Sequence, residues 1–137
     1  MIKKRIGYLP EESYLYPYLN ARETLEYYGK LFQQERAVRL RRVDELLEMV
    51  GLSAVQHRQV HEFSKGMARR LGLAQALIND PEFLILDEPT TGLDPIGTRQ
   101  VKDLIAYLGE RGKTILLSSH QLSDVEDVVD LMVLLYV

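Results

Sequence analysis

Residues 83–89 read Phe83-Leu84-Ile85-Leu86-Asp87-Glu88-Pro89: four apolar residues in a row, two adjacent carboxylates, then a proline. A continuous apolar run of this length, closed by a turn signal, predicts a strand buried on both faces. A second segment, Thr114-Ile115-Leu116-Leu117, has the same texture and ends in Ser118-Ser119-His120. Between them, Val101, Leu104, Ile105 and Leu108 recur at helical spacing, and Gly109 to Gly112 closes the helix. Strand, helix, strand at this spacing implies parallel pairing through a crossover helix, hence an α/β fold. A helix over Leu122–Val129 and a last strand over Leu131–Val137 continue the pattern. Ile6-Gly7-Tyr8-Leu9, stopped by Pro10, reads as a further strand end entering a loop.

The stretch between is different. Asn20 with Glu23 three residues on has the spacing of a capping box, and Leu25, Tyr28 and Phe32 form one stripe behind it. A second helix is expected over Glu35–Val50, with Gly51 at its C-cap. After Phe63-Ser64-Lys65-Gly66-Met67, residues Leu71 to Ile78 mark a third helix, which Asn79-Asp80-Pro81 stops. The chain therefore divides into a helical segment, 12–80, set into an α/β core made of 1–11 and 81–137.

Bulk properties exclude several classes. The 137 residues carry a formal net charge of −3, so no basic field draws them to nucleic acid. The chain contains no cysteine, and so no disulfide framework. Met1-Ile2-Lys3-Lys4-Arg5 begins like a signal peptide, but Pro10, Glu11 and Glu12 break the apolar stretch that should follow. The longest apolar run, Leu131–Val137, is far shorter than the roughly 20 residues of a membrane span.

Parallel strands deliver their carboxyl ends to one rim, where ligands gather. Asp87, Glu88 and His120 are expected there together. One carboxylate on such a rim can hold Mg²⁺, directly or through water, beside nucleotide phosphates, and a second can orient an attacking water. Ser64 and Gly66 stand at a helix N-terminus, whose free N–H groups and dipole suit phosphate, although an N-cap serine with a nearby glycine needs no ligand. Thr91-Gly92-Leu93-Asp94-Pro95 reads locally as a turn.

These features, in this order, resemble ABC ATPases over nearly the whole chain. Leu84–Glu88 is similar to the Walker B motif with its catalytic glutamate, Gly92-Leu93-Asp94 to the D-loop and His120 to the switch histidine. Phe63–Met67 is similar to the signature motif, and Ile6–Glu11 to the Q-loop. The resemblance implies a P-loop NTPase-like parallel sheet, incomplete here, with an inserted α-helical subdomain. It implies ATP and Mg²⁺ as cofactors, with Asp87 serving the metal through water, Glu88 the attacking water and His120 the γ-phosphate. Two such domains pair head to tail, so that Ser64 and Gly66 would hold the γ-phosphate of the other domain's ATP and Asp94 would act across the interface. A membrane-spanning permease at the cytoplasmic face would be the second partner, docked near Glu11–Leu19, where Tyr14, Tyr16 and Tyr18 cluster.

The chain departs from the family pattern in three places. No G-x-x-x-x-G-K-[ST] loop occurs in the 137 residues. By resemblance that loop lies before Met1, so this polypeptide alone is expected neither to bind ATP tightly nor to hydrolyse it. Strands deprived of their neighbours are expected to be partly uncovered and prone to association. Glu11 stands where the Q-loop has glutamine, and Lys65 and Met67 replace a glycine and a glutamine of the signature. Both departures resemble the export-type, ABC-2-like branch. Two other readings are a non-catalytic interaction module that supplies a signature motif in trans, and a soluble ABC ATPase that acts on nucleic acid or ribosomes.

Overall fold

In the computed structural model, residues 5–121, 123 and 126–130 are described. The apolar runs become three strands: β1 (Ile6–Leu9), β2 (Phe83–Asp87) and β3 (Thr114–Ser118). They form one parallel sheet in the order β1-β2-β3, with Leu9 opposite Leu86 and Asp87 opposite Ser118. Parallel neighbours need long crossovers. Helix α4 (Pro95–Glu110) supplies the one between β2 and β3, while α1 (Ala21–Leu31), α2 (Arg36–Met49) and α3 (Lys65–Ala76) lie between β1 and β2. Of the helix expected over 122–129, the described Glu126, Asp127 and Val128 form a turn instead. The strand expected over 131–137 lies outside the described residues.

Helix starts follow local hydrogen-bond chemistry. The Asn20 side chain accepts from the Glu23 amide, and the Glu23 carboxylate accepts from the Asn20 amide, which completes the expected capping box. Ser64 caps α3 through the Met67 amide, and Asp94 caps α4 through the Gly97 amide, with Pro95 at the first helical position. Gly51 ends α2 in the left-handed region at φ 71°.

One continuous apolar core joins the sheet to the helices, with Leu9, Leu25, Leu46, Leu71, Leu84 and Leu86 among its buried members. Among the described residues, only one face of the sheet is covered. Leu84 and Leu86 are buried, but Phe83 and Ile85 on the opposite face are only half-buried, and Tyr8 and Leu116 beside them are 54% and 58% exposed. The expectation that β2 and β3 are buried on both faces is thus corrected. A strand can be buried twice only if elements pack on both sides, and the described helices pack on one. The Tyr8 and Leu116 side chains thus leave apolar area open on this face of the sheet.

The sheet also requires a bare backbone at one point. A Cβ added to Gly7 would run into the main-chain oxygen of Ala76 at the end of α3, which cannot swing aside as a side chain could. We expect Gly7→Ala to lower unfolding stability by about 1–3 kcal/mol, the usual cost of overpacking, as measured by chemical denaturation.

A polar clasp ties the turn after α3 to the start of β3. Lys113 donates to the Asp80 carboxylate at 2.6 Å and to the Pro81 carbonyl at 2.5 Å. The hydrogen bond from Lys113 holds the Asp80 carboxyl below its ordinary pKa. Burial opposes this, and the charges of Lys113 and Arg42 reinforce it. A depressed carboxyl stabilises the fold above its unfolded pKa of about 3.9 and loses that contribution as pH falls through the folded value. Lys113→Met is therefore expected to raise the Asp80 titration midpoint, followed by NMR. The part of its stability deficit that belongs to the ion pair should vanish as pH falls from about 4 toward 2.

Candidate nucleotide site at the strand ends

The rim formed by the carboxyl ends of β2 and β3 gathers the residues that the sequence singled out. Asp87, the last residue of β2, accepts from the Ser118 hydroxyl at 2.5 Å across the strand pair. Glu88 follows it in the left-handed region at φ 50°, a conformation that costs a non-glycine residue on the order of 1–3 kcal/mol. Several bonds hold it there. Its amide donates to the Ser118 carbonyl at 3.0 Å, and its own carbonyl accepts from the Thr91 amide at 3.3 Å.

The backbone twist turns the Glu88 side chain inward, where it is only 4% exposed. One carboxylate oxygen accepts from the Thr91 hydroxyl at 2.7 Å, and the other contacts Nδ1 of His120. His120 itself is exposed, so the pair has one buried and one accessible member. Asp87, Glu88 and His120 are thus brought together on one rim, as parallel strands require. Ser118 and Thr91, which anchor the two carboxylates, did not stand out in the sequence. Their hydroxyls sit among other turn-forming residues, and only pairing across the strands reveals their partners.

Ser64, Gly66 and Asp94 form a separate group. The N-termini of α3 and α4 lie side by side, with Gly66 facing Gly97 and Leu93 across open space of about a van der Waals contact. The Lys65 side chain crosses directly over Gly92. Ser64 and Asp94 both act as helix caps, but the two caps are not spent alike. A hydroxyl that accepts one bond keeps its hydrogen to donate, so Ser64 can cap α3 and still serve an external anion. Asp94 can only accept, and one oxygen is committed to Gly97 at 2.6 Å. Among the described residues no hydrogen bond or ion pair joins this group to Glu88 or His120.

Glu11 follows β1 at the same sheet edge as Asp87 and Glu88. Its carbonyl accepts from Arg69 at 3.0 Å. Arg69 is the functional-site neighbour that sequence reasoning passed over. It is 4% exposed and donates to main-chain oxygens of Pro10, Glu11, Asp87 and Glu88, while its Nε is buried without a partner. Burial pushes its pKa below the ordinary arginine value, and the Asp87 and Glu11 carboxylates pull it back. A guanidinium starts high enough to stay charged regardless. The available signal was its spacing, because Arg69, Gly72, Leu73 and Ala76 fall on one buried helical stripe.

As for metal, no cluster of three or more His, Cys, Asp or Glu side chains exists among the described residues. Asp87 alone does not make a protein cage. A single strand-end carboxylate does fit Mg²⁺, which keeps most of its shell as water and phosphate oxygen.

A family model described as ABC transporter matches residues 1–91. The chain belongs to the ABC transporter family. It is 49% identical over 135 residues to an uncharacterised ABC transporter ATP-binding protein of Synechocystis, a match covering 97% of this chain and 38% of that protein. The bacitracin transport ATP-binding protein BcrA of Bacillus licheniformis is 46% identical over 130 residues, covering 94% of this chain and 42% of the relative. This chain thus spans about two-fifths of the length of these curated relatives. Among solved structures, CbiO1 of Clostridium perfringens, part of the ABC transporter complex CbiONQ, superposes with a TM-score of 0.85 at 26% identity, covering 93% of this chain and 52% of that one. The ABC family assignment and the parallel sheet with its helices agree with the sequence reading.

The Thr91 hydroxyl is the one protein donor to Glu88 Oε2 among the described residues. Replacing it by Thr91→Val leaves that buried acceptor unpaired. Stability is expected to fall by about 1–3 kcal/mol in thermal or denaturant unfolding, and Thr91→Ser should restore most of it.

Proposed function

We propose that these residues are the part of an ABC transporter's ATP-binding subunit that carries the catalytic carboxylate, the switch histidine and the signature motif. The observation that carries this reading is Glu88. It is a buried carboxylate in a left-handed backbone at a strand end, between the Thr91 hydroxyl and an exposed imidazole. Strain of this kind is held at sites where a side chain must be aimed. Glu88 would orient the attacking water as general base, and His120 would face the γ-phosphate from the open side of the pair. Asp87 would hold Mg²⁺ through water, and the metal, when bound, supplies neutralisation of phosphate charge. Catalysis of this type rests on positioning and charge stabilisation.

The separation of Ser64, Gly66 and Asp94 from Glu88 supports a paired arrangement. The α3 N-terminus would present its amides and the Ser64 hydroxyl to the γ-phosphate bound by a second ATPase domain, and Asp94 would work across that interface. Nucleotide binding would also need a phosphate-binding loop, which the 137 residues do not contain. Within this reading residues 12–80 form the helical subdomain, and 1–11 with 81–137 the α/β core. Glu11, in the Q-loop position, would approach the γ-phosphate side of the site.

The partner on the other side would be a membrane permease. No helix among the described residues is long and apolar enough to cross a membrane, so the spanning element would be another chain or segment, with this domain at the cytoplasmic face. Tyr14 and Tyr18 are 79% and 76% exposed beside the Tyr16–Tyr27 edge-to-face pair. Exposed tyrosines suit an interface because they combine apolar area with a polar tip. Export is the favoured direction, since relatives include bacitracin transport and lantibiotic transport ATP-binding proteins.

The test is Glu88→Gln in the complete transporter, reconstituted in proteoliposomes. ATP turnover should fall by about 10²-fold or more, as when a catalytic base is lost, while ATP binding persists. Undiminished turnover in this variant would overturn the assignment of Glu88.

A further inference from the structure

Arg69 belongs to α3, yet all the described hydrogen bonds of its side chain are to groups outside that helix. Nη1 donates to the carbonyls of Pro10 at 2.7 Å and Glu11 at 3.0 Å and to the Ser13 hydroxyl at 2.9 Å. Nη2 donates to the carbonyls of Asp87 and Glu88, both at 3.1 Å. One planar, rigid fork thus bridges the loop leaving β1 and the turn leaving β2. Among the described residues, no other side chain hydrogen-bonds to both sets of carbonyls.

The Glu88 end of this bridge has leverage. With φ at 50°, the orientation of the Glu88 main chain decides where its carboxylate points. The Glu88 carbonyl has two described donors, Arg69 Nη2 and the Thr91 amide. A shift of the guanidinium therefore reorients the peptide that aims the carboxylate. The loop end has leverage too, because Ser13 leads directly into exposed Tyr14.

We propose that Arg69 is a positioning residue that couples the 10–13 loop to the Glu88 carboxylate, so that displacement of the loop is felt at the reacting end of β2. This proposal rests on the reading of Glu88 given above. A lysine could not replace it fully, since a single ammonium cannot reach both acceptor sets in a fixed geometry. A merely structural arginine would behave differently: its loss would loosen the whole domain and diminish binding and turnover together.

The experiment compares Arg69→Met, Arg69→Lys and, as control, Arg70→Met in the complete transporter. Arg70, its neighbour on α3, donates to the Val50 carbonyl at 2.9 Å, and none of its described side-chain hydrogen bonds reaches either loop. ATPase kinetics are measured with and without the permease, together with amide hydrogen exchange at Leu15 and Thr91, whose amides bond to Ser13 and Glu88. For Arg69→Met we expect kcat to fall by about 10²-fold, the scale of a misplaced catalytic group, with KM for ATP little changed and permease stimulation lost. Arg69→Lys should recover part of it. Exchange at Leu15 and Thr91 should rise together in Arg69→Met and stay at wild-type levels in Arg70→Met.

Retained kcat and permease response in Arg69→Met would overturn the proposal. So would faster exchange at only one of the two amides, or a uniform rise across the domain with parallel loss of ATP binding. The exchange readout does not depend on turnover. If Glu88→Gln turns over normally while Leu15 and Thr91 still loosen together in Arg69→Met, the Glu88 role fails and the mechanical link stands.

Discussion

Everything in this domain hangs on β2 pairing in parallel with a strand on each side. Parallel neighbours cannot be joined by a tight turn, so each connection must travel back along the sheet, and helices are the way to do so with every backbone group satisfied. The same constraint makes the strand ends coincide. Leu9 opposite Leu86 and Asp87 opposite Ser118 bring three chain exits to one edge. The candidate site is a by-product of that alignment: Glu88, His120 and the loop from Pro10 meet because their strands run the same way.

Within that frame, hydrogen-bonding capacity decides what each polar residue can still do. Ser64 and Asp94 perform the same local task, ending a helix, but a hydroxyl retains a donor and a carboxylate does not. Glu88 is the opposite case, a residue whose local conformation is unfavourable and is maintained by partners on three other segments. Ser118, Thr91 and Arg69 all bond its main chain. Such over-determination is what allows a strained residue to persist.

The parts legible in the sequence were those governed by short-range rules. The Asn20–Glu23 box, the Ser64 start of α3, Gly51 after α2 and the three apolar strands are each written in a few neighbouring residues, and each appears within a residue or two of its expected place. The grouping of Asp87, Glu88 and His120 was legible because strand direction follows from crossover spacing. Burial was less so. Phe83-Leu84-Ile85-Leu86 looks the same whether one face or two are covered, since cover comes from elements elsewhere in the chain. Arg69 stayed hidden for a related reason: four of its five described acceptors are main-chain carbonyls, which carry no mark in the sequence. Ser118 and Thr91 lacked a signal of their own for the same want of a visible partner.

The register of β1 has a consequence for the order in which the domain is made. Ile6 pairs with Phe83, and Leu9 with Leu86, so β1 meets this described partner only after the whole helical stretch has been synthesised. Helices α1 to α3 have local hydrogen bonds and can form as they emerge, whereas the pairing of β1 with β2 is non-local and slower to form. The Leu9 side chain also faces Gly72 on α3, a contact that does not depend on β2. The helices thus offer β1 a packing surface that precedes β2 in the chain, and the edge that carries Glu88 and His120 is complete only once β2 and β3 lie beside it.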